Sequence, residues 1–201
     1  MNVRLKHDLH FCAGVYYNGE MRMNQYTLRV WLTTNSTEAA DHNTAFERLK
    51  YFVYTQLESS IFINQAWEEQ CQLMLDAGLR ITTMPNEPVD QVIGLMLYYK
   101  LNAILENRMI VDETEISSVL GEGVVYLHSE NELTSNIVKP DWWLTADPDH
   151  YDSTLLSSEK VLAMPQAGSA WREVDLAWQD AEPAQEIGNV LFADFKRNDP
   201  E

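Results

Sequence analysis

MIVDETEISS, residues 109–118, starts as a strand and then fills with acid. With a side-chain period of two, Val111, Glu113 and Glu115 share one face while Ile110, Asp112, Thr114 and Ile116 share the other, so neither face is cleanly apolar. A strand with carboxylates on both faces needs solvent, an edge position or a partner to accommodate them. Its predicted partner lies just downstream. GVVYLHSE, residues 123–130, follows a turn region containing Gly121 and Gly123, and the two runs predict a hairpin.

A first hairpin is predicted at the start of the chain. VRLKHDLHFCAGVYY (3–17) alternates loosely, Asn18-Gly19 is a strong turn signal, and NQYTLRVWLTT (24–34) resumes with β-branched and aromatic residues. In this second strand Tyr26, Leu28, Val30 and Leu32 form one face, and Thr27, Arg29, Trp31 and Thr33 the other. Between the hairpins the period becomes helical. Phe46, Leu49, Val53 and Leu57 recur at helical spacing, with Asp41 or Asn43 as the N-cap. A shorter helix covers Ala66 to Leu79, turning Trp67, Cys71, Met74 and Leu75 inward and closed by Gly78. RITTMPNEP (80–88) is a brief extended crossing. Pro88 then opens a long helix with Val89, Ile93, Leu97 and Ile104 along one stripe. The fold class so read is α+β, in the order strand, strand, helices, strand, strand.

Residues 1–138 make up this core, and 139–201 form an extension of a different kind. From Asp141 onward there are 13 Asp and Glu against 4 Lys and Arg, which contributes −9 of the chain's formal −17. Periodicity is poor there, yet Trp142, Trp143, Trp171 and Trp178 remain. These aromatics are expected to dock on the core, on a sister subunit or on another protein, and the four Trp are the candidate partner-binding residues.

Charge and cysteine usage narrow the function. A net charge of −17, with only 14 Lys and Arg spread along 201 residues, argues against binding nucleic acid or an anionic membrane surface. It permits a basic protein partner. Cys12 and Cys71 form no CxxC pair, and no apolar run resembles a signal peptide or a membrane span, so a cytoplasmic protein is expected. Walker, GxGxxG, GxSxG and HExxH motifs are all absent.

Over roughly residues 3 to 127 the strand order and several motifs resemble the tunnelling-fold family of 6-pyruvoyl-tetrahydropterin and 6-carboxy-tetrahydropterin synthases. Phe11-Cys12-Ala13-Gly14-Val15 stands where that family has Phe-x-Ala-x-His, and Arg22-Met23-Asn24-Gln25-Tyr26 where it has His-Gly-His-Asn-Tyr. The three zinc histidines are thus replaced by Val15, Arg22 and Asn24. Leu57-Glu58-Ser59 stands at the family's catalytic Leu-Asp-His, and Pro88-Val89-Asp90-Gln91-Val92 at its Pro-Thr-x-Glu-Asn helix start. Met109-Ile110-Val111-Asp112-Glu113-Thr114 matches its Val-x-Val-x-Glu-Thr strand, whose Glu anchors a pterin or purine ring.

The resemblance implies an antiparallel tunnelling-fold sheet, a homo-oligomer, and Glu113 with Thr114 as the ligand-binding residues; because the zinc histidines are replaced, no metal or cofactor is expected. A carboxylate can accept two parallel N–H bonds from a 2-amino-pyrimidinone edge. Zinc needs three converging donors, which His7, His10, His42, His128 and His150 do not announce. The leading expectation is therefore a metal-free protein binding a pterin- or purine-like ring, more a pseudoenzyme than an enzyme; any catalysis retained would be a lyase- or aldolase-like conversion of a pterin. The rival is a non-catalytic acidic interaction or inhibitor protein, of a kind that suits a phage accessory protein, acting through an extension that is separable from a folded core.

Overall fold

The computed structural model describes residues 4–130, 141–148 and 169–179. Strands β1 (Arg4–Tyr17) and β2 (Glu20–Thr34) form the first hairpin. Its turn places Asn18 at φ 52° and Gly19 at φ 78°, the two left-handed positions that a tight hairpin requires. After α1 (Ala39–Tyr51) the helix widens into a π-type turn over Phe52–Leu57. Then follow β3 (Ile61–Asn64), α2 (Glu68–Asp76), β4 (Ile81–Met84) and α3 (Asp90–Leu105). The second hairpin, β5 (Met109–Ser118) with β6 (Val125–Ser129), closes the sheet.

The six strands lie in the order β4-β3-β1-β2-β5-β6. β1, β2, β5 and β6 are antiparallel neighbours, whereas β3 joins β1, and β4 joins β3, in parallel. The sheet is therefore mixed and two strands wider than the alternating segments alone foretold. α1 also differs in detail: it begins at Ala39, and Asp41 does not cap it but lies buried in the first turn, paired with Arg108 at 3.3 Å.

One face of the sheet carries the main core. Leu9, Phe11 and Ala13 from β1 and Tyr26, Leu28, Val30 and Leu32 from β2 meet Leu49 of α1 and Ile93, Leu97, Leu101 and Ile104 of α3. α3 comes closest at Gly94, where a Cβ would stand 2.5 Å from Ile116 Cγ2 and 2.5 Å from His128 Nε2. Phe62 of β3 joins this core, and its neighbours Ile61 and Ile63 point the other way, against Cys71 of α2 and Ile81 of β4.

The acidic strand resolves through a β-bulge. Trp31 pairs with Glu113 but Leu32 pairs with Val111, so Asp112 is the extra residue. Before the bulge Met109 and Val111 are buried; after it Thr114, Ile116 and Ser118 are. Inward positions therefore change from odd to even numbers, and all three carboxylates come to the face away from α1 and α3. There Arg4 lies 3.7 Å from Asp112 and 3.8 Å from Glu113, Arg29 donates to Glu115 at 3.0 Å, and Thr33 Oγ1 donates to Asp112 at 2.6 Å. The mixed faces expected from uniform alternation are corrected by one inserted residue.

Both described pieces of the extension belong to the main core. A turn of 3-10 helix at Trp142–Leu144 and the short α4 (Ser169–Glu173) bring in Trp142, Trp143, Trp171 and Trp178, all buried. Two buried cations receive them. Lys100 Nζ donates to the carbonyls of Trp142, Thr145 and Asp147 at 3.0, 2.9 and 2.6 Å. Arg48 lies with its guanidinium carbon 4.6 Å from the Trp171 ring centre and 4.1 Å from that of Trp178, and it donates to the Leu176 carbonyl and to Glu106. Docking on the core is what the structure shows, so these four Trp are not available as partner contacts in this arrangement.

His7, on β1, packs edge-on against Phe46, and burial lowers its pKa, aided by the Lys50 charge and opposed by Asp8 and Glu47. Unfolded, the imidazole titrates near 6.5, and folded it titrates lower, so between the two values the unfolded chain binds more protons. Stability contributed by neutral His7 is thus lost as pH falls below that value. Urea unfolding from about pH 7.5 down to about pH 5.5 should move the balance between wild type and His7→Leu in favour of the variant. A difference that stays constant over that range would refute the assignment.

Candidate functional site

The hairpin turns of β1–β2 and β5–β6 and the start of α3 meet at one end of the sheet. They enclose a pocket of about 390 Å³. β1 contributes Val15 and Tyr17, β2 contributes Glu20, Arg22 and Asn24, the α3 start contributes Pro88, Val89 and Asp90, and Leu120, Gly121 and Tyr126 come from the second hairpin. Walls of Val15, Val89, Leu120 and two tyrosines suit a flat ring, and the polar groups are few, as in a typical small-molecule site.

Each polar group is set by its neighbours. Arg22 donates through Nε and Nη2 to Glu20 Oε2 at 3.1 and 2.5 Å, so these two exposed charges satisfy one another. Asn24 is buried; its Oδ1 accepts from Gln25 N at 2.9 Å and Leu120 N at 3.1 Å, and its amide lies beside the Tyr26 hydroxyl. Asp90 Oδ2 accepts from Ser118 Oγ at 2.5 Å, and Ser118 Oγ accepts in turn from Gly121 N at 3.0 Å. A Cβ on Gly121 would lie 2.5 Å from Asp90 Oδ2, so a side chain there would push the carboxylate aside. Burial pushes the Tyr26 phenol well above its ordinary pKa, with the neighbouring Asn24 amide opposing and the Asp90 charge adding.

Of the residues singled out from sequence, Val15, Arg22 and Asn24 are brought together on this pocket, and Asp90 with them. Glu113 and Thr114 are not. Glu113 stands on the face away from α1 and α3, 37% exposed and beside Arg4, while Thr114 is fully buried in the core and its hydroxyl finds no partner among the described residues. The bulge at Asp112 is the physical reason for their directions: it sends Glu113 outward and Thr114 inward, the reverse of what uniform alternation from Val111 gives. Glu58 is also elsewhere, accepting from the Cys12 backbone N–H at 2.9 Å. Sequence reasoning put Asp90 in a helix-start motif and Gly121 in a turn, but gave neither of them, nor Ser118 or Tyr126, a part in holding a ligand.

The resemblance implies a zinc ion, and the residues at its three positions do not fit one. Val15 offers no donor atom, Arg22 is a cation, and the Asn24 oxygen is occupied twice over. Among the described residues no three His, Cys, Asp or Glu side chains gather as a metal-holding group, and no helix is long and apolar enough to cross a membrane.

No family model matches the chain, and no curated protein matches it. Among solved structures it is similar to an uncharacterized protein, WS1659, from Wolinella succinogenes, at 12% identity and a TM-score of 0.47, with the match covering 65% of this chain and 99% of that one.

Proposed function

We propose that the chain is a cytoplasmic, metal-free relative of the tunnelling-fold pterin synthases that binds a pterin- or purine-like ring without zinc chemistry. The observation carrying this reading is that Val15, Arg22 and Asn24, set apart by motif comparison alone, line one pocket with apolar and phenolic walls. The antiparallel run β1-β2-β5-β6 with α1 and α3 on one face supports the tunnelling-fold assignment, with β3 and β4 as an addition at one side. Exposed Val119, Val124, Val125 and Leu127 beside the open edge of β6 support a homo-oligomer.

Ring binding is tested by thermal shift with neopterin, guanine and hypoxanthine on the untreated and chelator-treated protein. Saturating ligand should raise the midpoint on the order of 5 °C in both samples, and Val15→Trp, which fills the pocket, should abolish the rise. A flat response to every ring overturns the reading. The rival, an acidic protein that engages a basic partner, draws support from the charge of the extension alone.

A further inference from the structure

Building on the ring-binding reading, we propose that Asp90, not Glu113, is the carboxylate that holds the ligand, by accepting paired N–H groups from the ring edge. The charges in the pocket leave little choice. Glu20 is matched by Arg22 at 2.5 Å, whereas no Lys, Arg or His among the described residues lies within ion-pair distance of Asp90. A half-buried carboxylate without a cation is costly unless N–H or O–H groups satisfy it, and protein supplies one such group, the Ser118 hydroxyl on Oδ2. The remaining acceptor capacity belongs to the pocket.

The geometry is held in place from behind. The Gly121 N–H is donated to Ser118 Oγ, and Ser118 donates onward to Asp90, so the carboxylate is fixed by β5 and the loop after it rather than by its own helix. The absence of a side chain at Gly121 lets that loop pass close against Oδ2. Asn24 lines the same pocket, with its Oδ1 already engaged and its amide beside the buried Tyr26 hydroxyl. An acceptor pair between apolar walls matches a ring edge carrying an amino group and a ring N–H. Glu113 has neither a pocket nor this support; it belongs to the ion pairs of the opposite sheet face.

The test compares guanine with hypoxanthine, which lacks the 2-amino group, by calorimetric titration of the full chain. Wild type should favour guanine by about 10- to 100-fold, because losing a donor to a carboxylate leaves the site's acceptor unpaired. Asp90→Asn keeps the Ser118 contact and the fold, verified by circular dichroism, and should erase the preference. Ser118→Ala should weaken it, and Glu113→Ala should leave it unchanged. Equal binding of both bases by wild type, or a preference that survives Asp90→Asn or falls with Glu113→Ala, overturns the Asp90 assignment while ring binding itself stands. Binding of neither base nor of neopterin overturns both.

Discussion

A chain ending at residue 140 is expected to lose its cooperative fold. The deletion removes Trp142, Trp143, Trp171 and Trp178, each buried in the main core. Truncating one such side chain costs about 3–5 kcal/mol, against a total stability of roughly 5–15 kcal/mol for a domain. It also strips Lys100 of three carbonyl acceptors and uncovers Arg48, whose guanidinium lies against two indoles. The truncated protein should show weak near-ultraviolet circular dichroism, broad unfolding and strong binding of a hydrophobic dye. A sharp transition like that of the full chain would show that the extension is a separable appendage. Trp171→Ala, the milder change, should keep the fold but lower the denaturation midpoint.

Gly94→Ala gives the second large effect, and its sign is the test. Helix propensity alone favours alanine by about 1 kcal/mol in a helix interior. At this position the added Cβ would meet Ile116 and the His128 ring at 2.5 Å, both on the sheet against which α3 packs. Forcing α3 away from β5 and β6 should cost about 1–3 kcal/mol, so the variant is expected to be less stable than wild type in urea. A more stable variant would mean that the helix does not sit this close.

Much of the fold can be read from local signals because they are strong where the chain turns. Asn18-Gly19 announces the first hairpin, and the apolar stripe of α3 announces the long helix; both are present, although α3 begins at Asp90 and Val89, expected on its stripe, is exposed. β3 and β4 are four residues each, IFIN and ITTM, too short for a period to distinguish strand from other apolar runs. Their parallel pairing depends on distant partners. The bulge escaped because a period-two reading assumes one uninterrupted register, and the inserted residue, Asp112, looks like any exposed acid.

The pocket was half legible. Motif comparison brought Val15, Arg22 and Asn24 into one group, and the hairpin geometry puts them on one wall. Asp90 stayed hidden because an acid in the first turn of a helix is commonplace, favoured by the helix dipole alone. Only Ser118 and Gly121, reached through the whole of α3 and β5, turn it into an anchored acceptor. The tryptophans of the extension were recognisable as anchors, but their receptor was not. Arg48 and Lys100 read as ordinary surface cations until the helices that carry them are packed.

Lys100 grips residues 142–147 by backbone oxygens, at Trp142, Thr145 and Asp147. An oxygen of that kind is present whatever side chain the residue bears. Diverging homologues could therefore exchange Asp147 freely and still be held, whereas inserting or deleting a single residue between Trp142 and Asp147 would misalign the carbonyls against the ammonium. In this segment spacing should be inherited more faithfully than identity.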